Sequence, residues 1–274
     1  MRRGSDGAAA VVGSCAAEVA GKPMQESGVG PAMQVEVWSD VVCPWCYIGK
    51  RRLEEALARF PHAAEVEVVW RAFELDPSAS SATPGDPGRE PGDYARRLAA
   101  KYGTSVERGQ EMVDSMTEAA AGDGVEMRFD RAVAANTLDA HQVLHLAAER
   151  GVQDAAKERL LRGYFTEGEA VGDHDVLVRL AVEAGLDADE VRAVLAEGRY
   201  VDAVRAEEAE AAALGATGVP FFVVDRRYGV AGAQPADQLL AVLQRAWDER
   251  SPLTLVGASA SADGSACGPE GCAV

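Results

Sequence analysis

Cys43-Pro44-Trp45-Cys46 lies between the apolar stretch Val35-Glu36-Val37-Trp38 and a helix-like run, and it constrains this chain more than any other feature. Helical i,i+3 spacing brings two sulfurs within disulfide reach, so a strand entering a helix through C-x-x-C is the sequence form of a dithiol redox site. Val35 and Val37 alternate with Glu36 as a half-buried strand would, and Ile48, Leu53 and Leu57 then recur at helical intervals. Pro44 falls at the first helical position, where its missing N–H costs nothing. Cys43 is thereby placed at the positive end of the helix dipole, beside backbone donors that stabilise a thiolate. Thiol–disulfide exchange requires that placement. The competing readings of the spacing are half a zinc site and two ordinary buried cysteines. A zinc site needs a second pair of ligands, which lone His62, lone Cys15 and the distant Cys267/Cys272 pair do not supply, so no metal is assigned.

A second strand pattern runs over Val66-Glu67-Val68-Val69-Trp70-Arg71, and the strand–helix–strand order predicts a parallel pair. Residues 78–92, rich in Ser, Pro and Gly, read as a surface loop. From about Asp93 to Leu214 the pattern is helical, with Leu160, Leu161, Tyr164 and Phe165 on one apolar face. Asp187 and Glu190 have capping-box spacing. Strand signals return at Pro220 to Asp225 and at Tyr228 to Ala231, a hairpin with about two residues between its strands. A helix over Ala236 to Trp247 closes the structured part. Residues 251–266 read as a flexible linker, and residues 1–32 as a disordered leader or a mis-assigned start.

The order is βαβ, a helical block, then ββα, and removal of the block leaves a thioredoxin fold. The chain resembles the DsbA-like thioredoxin superfamily, in the FrnE-like branch related to 2-hydroxychromene-2-carboxylate isomerases and kappa-class glutathione transferases. Carrying the resemblance are Ser39-Asp40-Val41-Val42-Cys43-Pro44-Trp45-Cys46-Tyr47-Ile48-Gly49, Phe73-Glu74-Leu75-Asp76-Pro77, Asn136-Thr137, Ala140-His141, Gly218-Val219-Pro220-Phe221-Phe222-Val223 and Gly232-Ala233-Gln234-Pro235. It implies an α/β thioredoxin-like core, residues 33–92 and 215–250, interrupted by an all-helical insertion at 93–214. It also implies that Pro220 is cis and that Val219 and Pro220 dock substrate beside the dithiol. Cys43 is then expected as the attacking thiol, Cys46 as the resolving one and Trp45 as part of the apolar rim.

Asp40 is weighed between tuning the dithiol and a solvated or capping role, the latter favoured by the helix-start preferences of aspartate. His141 stands three residues from Leu138 and Leu144 and reads as a satisfied structural histidine; the resemblance places it and Asn136 at the roof of the cleft. Cys267 and Cys272, at the end of a linker spanning roughly 25 Å by random-coil scaling, read as a second redox pair, an inert tail or a weak metal clamp.

The expected activity is thiol–disulfide exchange or disulfide isomerisation. It needs no bound cofactor, only a redox-active disulfide recycled by a thiol reductant or oxidant. Expected partners are thiol- or disulfide-containing proteins or low-molecular-weight thiols, in a monomer or homodimer located in the cytoplasm. A net charge of −17 disfavours nucleic acid and anionic membranes. Two other classes stay open: a small-thiol-dependent isomerase or transferase acting on an aromatic or polyketide-like compound, and a chaperone-like binding module using the same cleft.

Overall fold

The computed structural model describes residues 32–81 and 93–250. Four strands form one mixed sheet in the order β2-β1-β3-β4, with β1 Met33–Ser39, β2 Val66–Ala72, β3 Phe221–Val224 and β4 Tyr228–Ala231. Strand β1 pairs parallel with β2, Val37 opposite Trp70, and antiparallel with β3, Val37 opposite Phe222. Two remote segments of the chain therefore meet on either side of β1.

Met33, Val35 and Val37 point to one face of the sheet and pack with Leu53 and Ala56 of α1 (Pro44–Ala58) and with Leu239 and Leu243 of α9 (Ala236–Asp248). The strand's two-residue alternation sends Trp38 to the opposite face, where it packs with Phe221, Val223 and Ala211 of α8 (Val201–Ala213). Each fully buried side chain of this size contributes roughly 1.5–3 kcal/mol. Glu36 is a correction to the half-buried strand expected here: at 1% exposure it is buried and meets the guanidinium groups of Arg71 and Arg226, which also pair with Glu207 and Glu210 of α8.

Between β2 and β3 the chain is mostly helical from Tyr94 to Ala213, the longest connection being residues 123–137: α2 Tyr94–Tyr102, α3 Val106–Gly122, α4 Leu138–Glu149, α5 Gln153–Arg162, a π-helical turn Gly163–Glu167, α6 His174–Glu183, α7 Ala188–Glu197 and α8. Their shared core includes Leu146, Leu160, Leu161, Phe165, Leu177 and Leu180, and it extends to Val41, Tyr47 and Ile48 at the start of α1. Helix α1 is thus held between the sheet on one side and the insertion on the other.

Two local expectations were modified by distant partners. Asp187 caps α7 by accepting from the backbone N–H groups of Asp189 and Glu190, but the Glu190 carboxylate turns to Arg150 rather than back to the cap. The β3–β4 connection has three residues, Asp225 to Arg227, not about two, and Asp225 and Arg226 both take left-handed backbone (φ 47° and 56°).

Candidate active site

Cys43 is the N-cap residue of α1, with extended backbone (φ −93°, ψ 115°), and Pro44 opens the helix. The Cys43 carbonyl accepts from the N–H groups of Cys46 (3.1 Å) and Tyr47 (3.4 Å), closing the first turn and stacking the two cysteines on one side of it. No acidic residue lies in that turn, so no carboxylate opposes a thiolate at the positive end of the dipole. Both cysteines are thiols; Cys43 is 4% exposed and Cys46 1%, whereas Trp45 between them is 38% exposed. Access therefore favours Cys43, and the Trp45 ring stands beside it as an exposed apolar surface.

The Val219–Pro220 peptide is cis, and the Cys43 Sγ lies 3.7 Å from the Val219 carbonyl oxygen, within reach of a weak S–H···O contact. Gly49, the sixth residue of α1, makes this approach feasible: a Cβ there would come 2.9 Å from Pro220 Cγ and 3.2 Å from Phe222 Cζ.

Beneath the dithiol lies a charged group that the sequence did not single out. Lys157 of α5 is completely buried, and its Nζ donates to the Ser39 carbonyl at 3.2 Å. Burial brings its pKa down to about 8, against the opposing pull of Cys46, Asp40 and Cys43. The Cys46 thiol is pushed well up, first by burial and then by its hydrogen bond to and charge interaction with Cys43, while Lys157 draws it the other way. The signal for Lys157 was its helical spacing: Leu161 and Tyr164 follow at i+4 and i+7, which puts the lysine on the apolar stripe of α5.

Asp40 is neither solvated nor a cap. It is 1% exposed, its Oδ2 accepts from Leu75 N at 2.8 Å, and α1 has no side-chain cap. Burial raises its pKa, but His141, the Leu75 N–H and Lys157 outweigh burial and hold the carboxyl below its ordinary value. His141 is equally buried, its Nε2 3.5 Å from Asp40 Oδ1, and neither ring nitrogen makes a hydrogen bond. It faces Asp40 without a hydrogen bond of its own, so it is not the satisfied structural histidine expected from the sequence. Asn136 ties two loops together, its Oδ1 accepting from Leu138 N (3.0 Å) and its Nδ2 donating to the Pro77 carbonyl (3.3 Å). Cys267 and Cys272 lie outside the described residues. Among the described residues no three His, Cys, Asp or Glu side chains converge as a metal site.

A family model described as a DSBA-like thioredoxin domain matches residues 34–244. The chain belongs to the DSBA-like thioredoxin family. The match runs through both halves of the sheet and the insertion between them. A probable DsbA oxidoreductase of Streptomyces coelicolor is 51% identical, with a TM-score of 0.75 over 88% of this chain and 99% of that one. The uncharacterized protein YwbO of Bacillus subtilis (strain 168) is 31% identical over 199 residues, 70% of this chain and 86% of its own length. The cytosolic disulfide reductase DsbM of Pseudomonas aeruginosa, solved with GSH, is 20% identical with a TM-score of 0.53, over 78% of this chain and 99% of that one, and shares the fold.

Proposed function

We propose that this DSBA-like protein is a thiol–disulfide oxidoreductase that works through Cys43 and Cys46, in the direction of disulfide reduction or isomerisation. The observation that carries the reading is the Cys43 sulfur at the N-cap of α1, 3.7 Å from the Val219 carbonyl, with Cys46 buried one turn behind. The Cys43 thiolate attacks a substrate disulfide, forming a mixed disulfide and expelling one substrate thiolate, which takes a proton. Cys46 then loses its proton and attacks the Cys43 sulfur, releasing the second substrate thiolate and leaving a Cys43–Cys46 disulfide. Two molecules of a small thiol, RSH, return that disulfide to the dithiol and leave as RSSR, so electrons balance at two per cycle. Val219 and Pro220 dock the substrate chain and Trp45 borders it.

The family match and the 51% identical probable DsbA oxidoreductase support the reaction class. Placement in the FrnE-like branch, a cytoplasmic setting and exchange with the Cys267/Cys272 pair belong to the same proposal. An insulin-reduction assay tests it: Cys43→Ser is expected to abolish turnover and Cys46→Ala to accumulate a mixed disulfide visible by mass spectrometry. Full activity of Cys43→Ser would overturn it.

A further inference from the structure

Beside the dithiol turn, buried side chains from three parts of the chain hold polar atoms that make no hydrogen bond among the described residues. Asp40 gives Oδ2 to Leu75 N at 2.8 Å, but its Oδ1 is unbonded. Glu74, next to Leu75 and 4% exposed, pairs one oxygen with Arg205 of α8 and leaves Oε1 unbonded. His141 of α4 brings Nε2 to 3.5 Å from Asp40 Oδ1, and neither of its ring nitrogens is bonded. A buried polar group left unpaired is destabilising, and several of them in one place call for an explanation.

The donor count supplies one. A neutral imidazole has a single N–H and can serve one carboxylate oxygen, whereas an imidazolium has two and can serve both Asp40 and Glu74. Burial pushes the Glu74 carboxyl up and Arg205 draws it back, and the remaining charges acting on it are Glu208 and His141. On the Asp40 side the further charged group is Lys157 of α5. The Tyr164 phenol, in the fields of Arg97 and Asp40, is pushed up to about 12 by burial and stays protonated. Asp40 also ties the cluster to the dithiol. Its carbonyl accepts from Cys43 N at 3.4 Å, and its carboxylate acts on Lys157, whose ammonium opposes the burial that pushes the Cys46 thiol up. Oxidation removes both thiols as possible anions, so Asp40 is the counter-charge that Lys157 keeps in both redox states.

We propose that His141 is a positioning residue for the resolving step: as an imidazolium shared by Asp40 and Glu74 it holds Asp40 as a carboxylate, and through Asp40 it keeps Lys157 charged beside Cys46. The role rests on the proposed redox function, whereas the carboxylate–imidazolium clamp does not. Without the clamp Asp40 takes up a proton, Lys157 gives one up more readily, and Cys46 ionises only at higher pH.

Nitrogen NMR of the reduced full-length protein at pH 7 reads the clamp directly. Both His141 ring nitrogens are expected to carry protons, and Asp40→Asn, whose amide oxygen can still accept from Leu75 N, is expected to return the ring to its neutral form. The role is read from the rate at which Cys46 resolves a preformed Cys43 mixed disulfide, followed against pH. His141→Gln is expected to slow resolution about tenfold at pH 7 and to displace the profile about one unit to the alkaline side, so that the rate recovers at high pH. Because His141 acts through Asp40, His141→Gln/Asp40→Asn is expected to be no slower than Asp40→Asn alone. A merely structural role would lower stability and leave the profile in place. Should His141→Gln fail to fold, the wild-type spectrum and the Asp40→Asn profile still decide. A neutral His141 ring in the wild type, or an unmoved profile in an active His141→Gln protein, overturns the inference and leaves the redox reading intact. An imidazolium that is lost in Asp40→Asn, in a protein that reduces no disulfide, upholds the clamp while the redox reading falls and takes the role of His141 with it.

Discussion

At the scale of single residues, Lys157 shows how the two thiols are set apart. Its ammonium is buried against Ser39, in the field of Cys46, Asp40 and Cys43. Of these interactions, the one with Cys46 bears most directly on the reaction, because Cys46 must lose a proton before it can release a mixed disulfide. Lys157→Met removes the group that draws the Cys46 thiol down, so resolution of a Cys43 mixed disulfide is expected to slow about tenfold, one pKa unit's worth, while formation of that mixed disulfide slows less. The stability readout is separate. With its folded pKa lowered from 10.5 to about 8, Lys157 binds fewer protons folded than unfolded between those values. Its penalty is therefore fully present below pH 8 and is relieved as pH rises to 10.5, a swing of about 3 kcal/mol. Denaturant melts at pH 7.5 and 10 should show the wild type gaining on Lys157→Met by that order; parallel changes in both proteins, with unaltered resolution, would reduce Lys157 to packing. Cys43, Cys46 and Pro220 were legible in sequence because their chemistry admits few substitutes. Lys157, Asp40 and His141 were harder to read, since burial of a polar side chain depends on what packs over it from elsewhere in the chain.

At the scale of elements, α1 sits closely on the cis-proline loop because Gly49 has no Cβ. In an open helix, glycine to alanine gains about 1 kcal/mol. Here the new Cβ would meet Pro220 Cγ at 2.9 Å, and overpacking of that kind costs about 1–3 kcal/mol. Gly49→Ala is therefore expected to lower the urea midpoint and to reduce insulin turnover by moving Val219 away from Cys43. Gly122, at the end of α3 with nothing within 4 Å of a built Cβ, is the control. Gly122→Ala should hold or raise the midpoint, and equal behaviour of the two variants would remove the steric account. The elements themselves could be read from periodicity: the parallel β1–β2 pair, the helical block and α9 all follow their patterns. Where the reading slipped, a remote partner had intervened. Alternation in β1 gave the period but not the burial of Glu36, which meets Arg71 of β2 and the guanidinium of Arg226, in the left-handed turn after β3.

At the scale of the whole molecule, the insertion completes the sheet. Strand β2 is an edge, and an unpaired edge invites pairing with another chain. Gln153, at the start of α5, meets that edge with its side-chain amide. Its Oε1 accepts from Trp70 N at 3.0 Å and its Nε2 donates to the Trp70 carbonyl at 2.8 Å, as a neighbouring strand would. Asp154 adds a bond from the Trp70 indole at 2.9 Å, and further along β2 Glu207 of α8 accepts from Ala72 N at 2.6 Å. The insertion is thus bonded to the sheet through backbone groups, not only through apolar contact, and the active-site helix lies between the two. Gln153→Leu keeps the side chain's bulk but strands one donor and one acceptor of Trp70, each costing about 1–3 kcal/mol if left unpaired. The expected result is a lower urea midpoint together with faster hydrogen exchange at the Trp70 amide, while Asp154 and Glu207 keep the insertion attached. An unchanged midpoint with full protection of that amide would mean that water or another residue serves the edge equally well, and that apolar packing alone joins the insertion to the sheet.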